Sequence, residues 1–194
     1  MTRDNADGTE QAPDQRDVSD AADEIAASWE RERPGTRTAS IGVVTRVWQL
    51  AKLFGDDRRR VLSDAGVDSA TLDLLSVLRR SSSPYRRTTR ELTELTLVTA
   101  GAISQRVARA EREGLVVRWT DPVDRSVWVE LTRAGHALVE RTVDLVLSRE
   151  AELLDGIESG RREQLAELLR DLLRDVQTRQ GDQGISHVGE TGLP

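Results

Sequence analysis

Residues 88–131 read TTRELTELTLVTAGAISQRVARAEREGLVVRWTDPVDRSVWVEL, and this stretch decides the fold. It opens on Thr88 with Glu91, a capping box in which a hydroxyl and a carboxylate each satisfy a backbone N–H left free at a helix start. The helix they begin is short, about residues 89–95. Thr99 caps a second one, where Ile103, Val107 and Ala110 recur at three- and four-residue intervals and face inward, and Gly114 supplies the left-handed residue that ends it. The period then changes. Residues 115–120 and 126–131 are rich in β-formers, Val127, Val129 and Leu131 alternate, and Asp121-Pro-Val-Asp-Arg125 separates the two runs, which predicts a β-hairpin with a charged tip.

Outward from this stretch the periodicity is helical. Residues 21–33 place Ile25 and Trp29 one turn apart before Pro34-Gly35 stops the helix, so Trp29 must pack on something outside it. A long stripe over 39–65 carries Ile41, Val44, Val47, Trp48, Leu50, Leu53, Phe54, Val61 and Leu62, suited to a scaffold or dimerisation helix ended by Gly66. Asp68 or Ser69 caps the next helix, with Leu72, Leu75 and Leu78 on one face, and Ser81-Ser-Ser-Pro84 ends it. Thr132 caps a helix to about 155. Ser159 caps a last one to about 179, striped by Leu165, Leu168, Leu169, Leu172 and Val176. Seven helices and one hairpin make a mainly α fold, a winged helix-turn-helix flanked by dimerisation helices, whose second helix in the motif is the one that enters a DNA major groove. The expected organisation is an acidic disordered tail over 1–20, where no face can be buried, one domain over 21–179, and a glycine-rich flexible tail over 180–194 that holds His187.

Composition narrows the chemistry. The 194 residues contain no cysteine, which removes disulfides, thiolate nucleophiles and Cys-ligated zinc. Only His136 and His187 remain, and His136, near a helix start, reads as structural. There is no Gly-x-Ser-x-Gly, no phosphate-binding glycine loop and no His-x-x-x-His, so no catalytic residue, metal or cofactor is expected and the chain is not read as an enzyme. No apolar run approaches ~18 residues and no apolar leader opens the chain, so the expected location is the cytoplasm, with no membrane partner. The formal net charge of −6 argues against coating nucleic acid indiscriminately, yet nine arginines face seven acids between 84 and 133, a local balance of +2. On the second helix of the motif, Ser104, Gln105, Ala108 and Arg109 face outward, and Ser, Gln and Arg are donors that read base edges or phosphates. An ordinary amphipathic surface helix gives the same pattern.

The run from Thr99 to Val116, the Asp121-Pro-Val-Asp-Arg125 segment and Leu131-Thr-Arg-Ala-Gly-His-Ala-Leu-Val139 together resemble the MarR family of bacterial transcription regulators, over roughly residues 39–179. The resemblance implies a homodimer, built from the first long helices and the last two, on double-stranded DNA with a pseudo-palindromic site. Thr99, Ser104, Gln105 and Arg109 would then belong to the recognition helix and its cap, and Arg125 would enter the minor groove. Asp121 and Asp124 would shape the wing, and Ser126 stands where many relatives carry a second arginine.

A finer resemblance is to the urate-responsive branch of that family, which adds an N-terminal helix bearing a Trp. The matching elements are Trp29-Glu-Arg-Glu-Arg-Pro34, then Leu72-Asp-Leu-Leu-Ser-Val-Leu-Arg-Arg80, then Ser83-Pro-Tyr85. By position it assigns Trp29, Asp73, Arg80 and Arg106 to an anionic ligand such as urate or another purine, and to relaying its arrival, so that the chain acts as a repressor released by ligand. Asp73 and Arg80 lie about two helical turns apart and share a helix side. A carboxylate at 73 could hold Arg106, Arg80 offers a planar fork, and the Trp29 ring could stack over a planar anion. Two alternatives stay open within these residues: a different aromatic or carboxylate ligand, and a plainer role in which Trp29 staples its helix and Arg80 is a solvated charge. A rival of another class is a helical protein-interaction module without DNA binding.

Overall fold

The computed structural model describes residues 19–96 and 98–180. Most of the expected acidic tail and nearly all of the expected C-terminal tail, including His187, lie outside the described residues. The chain divides into two units, residues 1–50 and 51–194.

In the first unit, α1 spans Ala21–Glu32. Asp20, expected in the tail, instead caps α1: its side chain accepts the N–H groups of Ala22 and Asp23 while the Asp23 carboxylate accepts the Asp20 N–H. This closes a capping box with Asp in both positions. Helix α2, Ile41–Asp64, begins in this unit. From it Arg46 donates through Nε to Asp20 at 2.8 Å and through Nη2 to Asp23 at 2.7 Å. That guanidinium holds the Asp20 carboxyl below its ordinary pKa.

The second unit contains the end of α2, then α3 (Ser69–Arg80), β1 (Arg86–Thr88), α4 (Thr89–Thr96), α5 (Ala100–Arg112), β2 (Val116–Thr120), β3 (Val127–Leu131), α6 (Arg133–Leu154) and α7 (Ser159–Gln180). Helix α3 is central. Leu72, Leu75 and Leu78 are buried as their spacing predicts, but Leu74 on the other side is buried too, because α3 packs against α4, α5, α6 and β3 at once. Leu92, Ile103, Val107, Val116, Val129 and Val139 complete the core around it. From α2, Asp57 accepts from Arg149 Nε of α6 at 2.9 Å, which fastens the end of α2 within this unit.

Two points refine the sequence reading, and a third bears on the expected dimerisation helices. The expected hairpin is a three-stranded antiparallel sheet of order β1-β3-β2, since residues 86–88 pair with β3 through Arg87 opposite Val129. The first turn of α7 is capped by the Glu158 carboxylate, which accepts the N–H groups of Gly160 and Arg161, and Ser159 is simply the first helical residue. Finally, no side chain of α7 is buried among its described residues, leaving its leucine stripe uncovered.

Candidate nucleic-acid interface and ligand residues

The candidate surface is built from α4, α5 and the sheet. Thr88 and Glu91 form the expected box at the start of α4, with Glu91 N–H donating to the Thr88 hydroxyl and Thr88 N–H to the Glu91 carboxylate. Thr99 caps α5 by accepting the Ala102 N–H at 3.2 Å. Helix α5 ends in paired bonds, Gly114 N–H to Glu111 O and Leu115 N–H to Ala110 O, that require the left-handed φ of +71° Gly114 adopts. The burial of Ile103, Val107 and Ala110 sets which face of α5 turns inward, and Ser104 and Gln105 stand exposed. Ala108, expected outward, is half-buried.

Arg109 is exposed as expected but already engaged. Its Nη2 lies 3.0 Å from Asp68 on the cap of α3 and its Nε 2.9 Å from Glu113, and the two carboxylates raise its already high pKa further. The sequence marks Asp68 only as a helix cap. Its second role depends on α3 and α5 meeting, which no local pattern records.

The wing tip is a compact set of turns. Asp121 Oδ1 accepts the Val123 N–H at 2.8 Å, and Asp124 Oδ1 accepts the Ser126 N–H at 2.9 Å and its hydroxyl at 2.6 Å. Asp121 N–H donates to Ser126 O, closing the tip, and Arg125 N–H donates to Asp121 O. Arg125 is thereby presented to solvent with a φ of +64°. The Ser126 hydroxyl, then its N–H, hold the Asp124 carboxyl below the ordinary range. So the residue in place of a second arginine organises the first one's support.

Two aromatic residues escaped the sequence reading. Trp119 and Trp128 are register partners across β2 and β3, stack with centroids 6.5 Å apart, and carry the Arg86 guanidinium 5.0 Å over the Trp128 ring. Alternation shows each Trp's side of its strand but not that the two meet. His136 packs edge-on against Tyr85 at 4.7 Å, consistent with a structural place.

The four ligand residues divide between the units. Trp29 belongs to the first, on α1, where it is 51% exposed and lines an open hollow with Ile25 and Ser28. In the second unit, Asp73 is half-buried on α3, and Arg80, exposed near that helix's end, donates to the Ser76 carbonyl at 3.2 Å. Arg106 is on α5, against which α3 packs. Its Nη1 is buried without a hydrogen-bond partner among the described residues, an unusual state for a guanidinium nitrogen. Among those residues no cluster of His, Asp and Glu could hold a metal, and no helix is long and apolar enough to cross a membrane.

A sequence model of the MarR family matches residues 65–125, from the turn before α3 to the wing tip. The HTH-type transcriptional regulator PecS of Dickeya dadantii is 25% identical over 147 residues, 75% of this chain and 89% of PecS. Among solved structures, wild-type MarR from E. coli is 26% identical with a TM-score of 0.55, over 67% of this chain and 96% of that one. BpsR of Bordetella bronchiseptica, whose DNA binding is regulated by 6-hydroxynicotinic acid, is 22% identical with a TM-score of 0.55, over 66% of this chain and 91% of BpsR. The fold is a MarR-like winged helix, and the named proteins it is similar to include a transcriptional regulator, PecS.

Proposed function

We propose that this chain, with residues 21–179 as its working domain between two tails, is a homodimeric MarR-type transcription regulator and a repressor released by an anionic purine such as urate. The observation that carries the DNA-binding part is α5 itself: a helix locked by three buried side chains, with Ser104 and Gln105 facing out beside a wing tip that projects Arg125. Ser104, Gln105 and Arg109 meet base edges or phosphates, Thr99 lies at the helix end nearest the backbone, and Arg125 enters the minor groove.

In the ligand part, urate enters beside Arg80, and its charge repels Asp73. Arg106, whose buried Nη1 lacks a partner, then changes its position and tilts the recognition helix. The test is a urate titration of the protein on the DNA upstream of its own coding region, read by gel retardation and Trp fluorescence over a salt series. A coupling of ~1–3 kcal/mol makes saturating urate weaken the complex roughly 5–150-fold. Trp29→Ala and Arg80→Ala retain DNA binding and lose the response.

A second reading keeps the regulator and changes the ligand to another aromatic or carboxylate compound, of which the 6-hydroxynicotinic acid that regulates BpsR is one example. It predicts no response to urate and a response to an aromatic acid in the same titration.

A further inference from the structure

Arg109 sits one turn beyond Gln105 on the exposed side of α5, yet its guanidinium is already occupied by Asp68 and Glu113. Asp68 is fixed independently of it: Oδ1 accepts the Thr71 N–H at 3.0 Å and Oδ2 the Thr71 hydroxyl at 2.9 Å. Burial pushes the Asp68 carboxyl up, but Thr71 and then Arg109 outweigh that and hold it below its ordinary value, so the group is an anion at neutral pH.

These pairs are not what seats the recognition helix. Ile103, Val107 and Ala110 are 0–1% exposed and do that, whereas side chains 53%, 38% and 43% exposed form the kind of ion pair that contributes little to stability. What the pairs do determine is the state of Arg109. Two carboxylates share one cation, so the spot where a DNA-reading arginine is expected carries a net negative charge, and the Nε and Nη2 of its guanidinium already face carboxylates.

We propose that Asp68 and Glu113 form an intramolecular clamp that competes with the acceptor oxygens of duplex DNA for Arg109 and thereby sets the affinity of the recognition helix. The inference rests on the DNA-binding reading above. Docking on DNA exchanges carboxylate for nucleic-acid oxygen on Nε and Nη2, and the two released carboxylates then repel the phosphate backbone. Both effects lower affinity on any sequence and are strongest at low salt.

The variants that test this keep the fold. Asp68→Asn retains the cap of α3, because Asn and Asp cap equally well, and Glu113→Gln exchanges one good helix former for another. Anisotropy is measured on the duplex upstream of the protein's own coding region and on a scrambled duplex of equal composition, at several salt concentrations. Asp68→Asn is expected to tighten binding about two- to fivefold and the double variant up to about tenfold, with the gain fading as salt rises. In an Arg109→Ala background the gain shrinks to the part that carboxylate repulsion of the phosphates contributes. In the DNA-free protein, the Arg109 Nε–H resonance is expected to exchange slowly with water in the parent chain and fast in the double variant. Weaker or unchanged binding by Asp68→Asn, an equal gain without Arg109, or a resonance unaffected by the variants overturns the clamp. If neither the parent chain nor any variant binds either duplex, the DNA-binding reading falls and takes the clamp with it. Binding by the parent chain without the gain overturns the clamp alone.

Discussion

At the tip of the wing a bulky, charged residue adopts a left-handed backbone, which costs a non-glycine residue roughly 1–2 kcal/mol. Arg125 is held there by bonds it does not itself make through its side chain: Asp121 and Asp124 accept the N–H groups two residues on, and Ser126 closes the loop. That the two aspartates shape the tip is what the family resemblance implied. The part played by Ser126 was not legible in the sequence, because its hydroxyl finds Asp124 only in this turn. Arg125→Ala is expected to weaken binding of the upstream duplex by ~1–3 kcal/mol, the range for one good arginine contact, measured by anisotropy at fixed salt. The Asp124 carboxyl, lowered by the Ser126 hydroxyl and N–H, gives the tip a defined pH dependence. A carboxylate with a depressed folded value contributes order that is present above the ordinary aspartate pKa of ~3.9 and is lost as pH falls through the lower folded value. The Ser126 amide resonance is therefore expected to titrate with a midpoint below the ordinary value, and to lose that transition in Asp124→Asn.

Among the elements, those with their own internal period were readable and those completed by a neighbour were not. Helices α3 and α5 carry stripes and caps, and their bounds fall within a residue or two of the reading. Strand β1 has no alternation to read: Arg86-Arg87-Thr88 becomes a strand because β3 offers it a free edge. The junction between sheet and α6 shows the same dependence. The Thr132 N–H and hydroxyl both donate to the Leu115 carbonyl, drawing the start of α6 so close that a Cβ on Gly135 would fall inside contact distance of that oxygen. Glycine here serves proximity. In an unobstructed helix Gly→Ala gains about 1 kcal/mol. At this position backbone must move instead, so Gly135→Ala is expected to destabilise the chain by ~1–3 kcal/mol in denaturant unfolding. A stabilised variant would show that the approach is looser than it stands here.

At the scale of the whole molecule, the acidic total and the basic stretch between 84 and 133 agree once the arginines are traced, since several of them face carboxylates of their own chain. The larger imbalance is apolar. Helix α7 is 22 residues long, buries none of its described side chains, and exposes Leu165, Leu168, Leu169, Leu172, Leu173 and Val176 along one stripe at three- and four-residue steps. An isolated helix of this length is marginal in water, so α7 needs a surface to cover that stripe. A contiguous apolar face of this kind marks an interface, and a second copy of the chain supplies an identical stripe to meet it. The exposed Val43, Val44, Val47 and Trp48 of α2 make the same demand in the first unit. A dimer through this stripe would make assembly and folding of α7 one equilibrium, dependent on protomer concentration. Light scattering is expected to give a dimer for the full chain, and dilution is expected to reduce helicity together with mass. Removing the chain from Ser159 onward should abolish the soluble dimer, while Leu169→Asp with Leu172→Asp should do so without shortening it. A monodisperse truncated monomer that still binds the upstream duplex would refute the claim that DNA binding needs the dimer, and a full-length monomer with unchanged helicity would refute the interface itself.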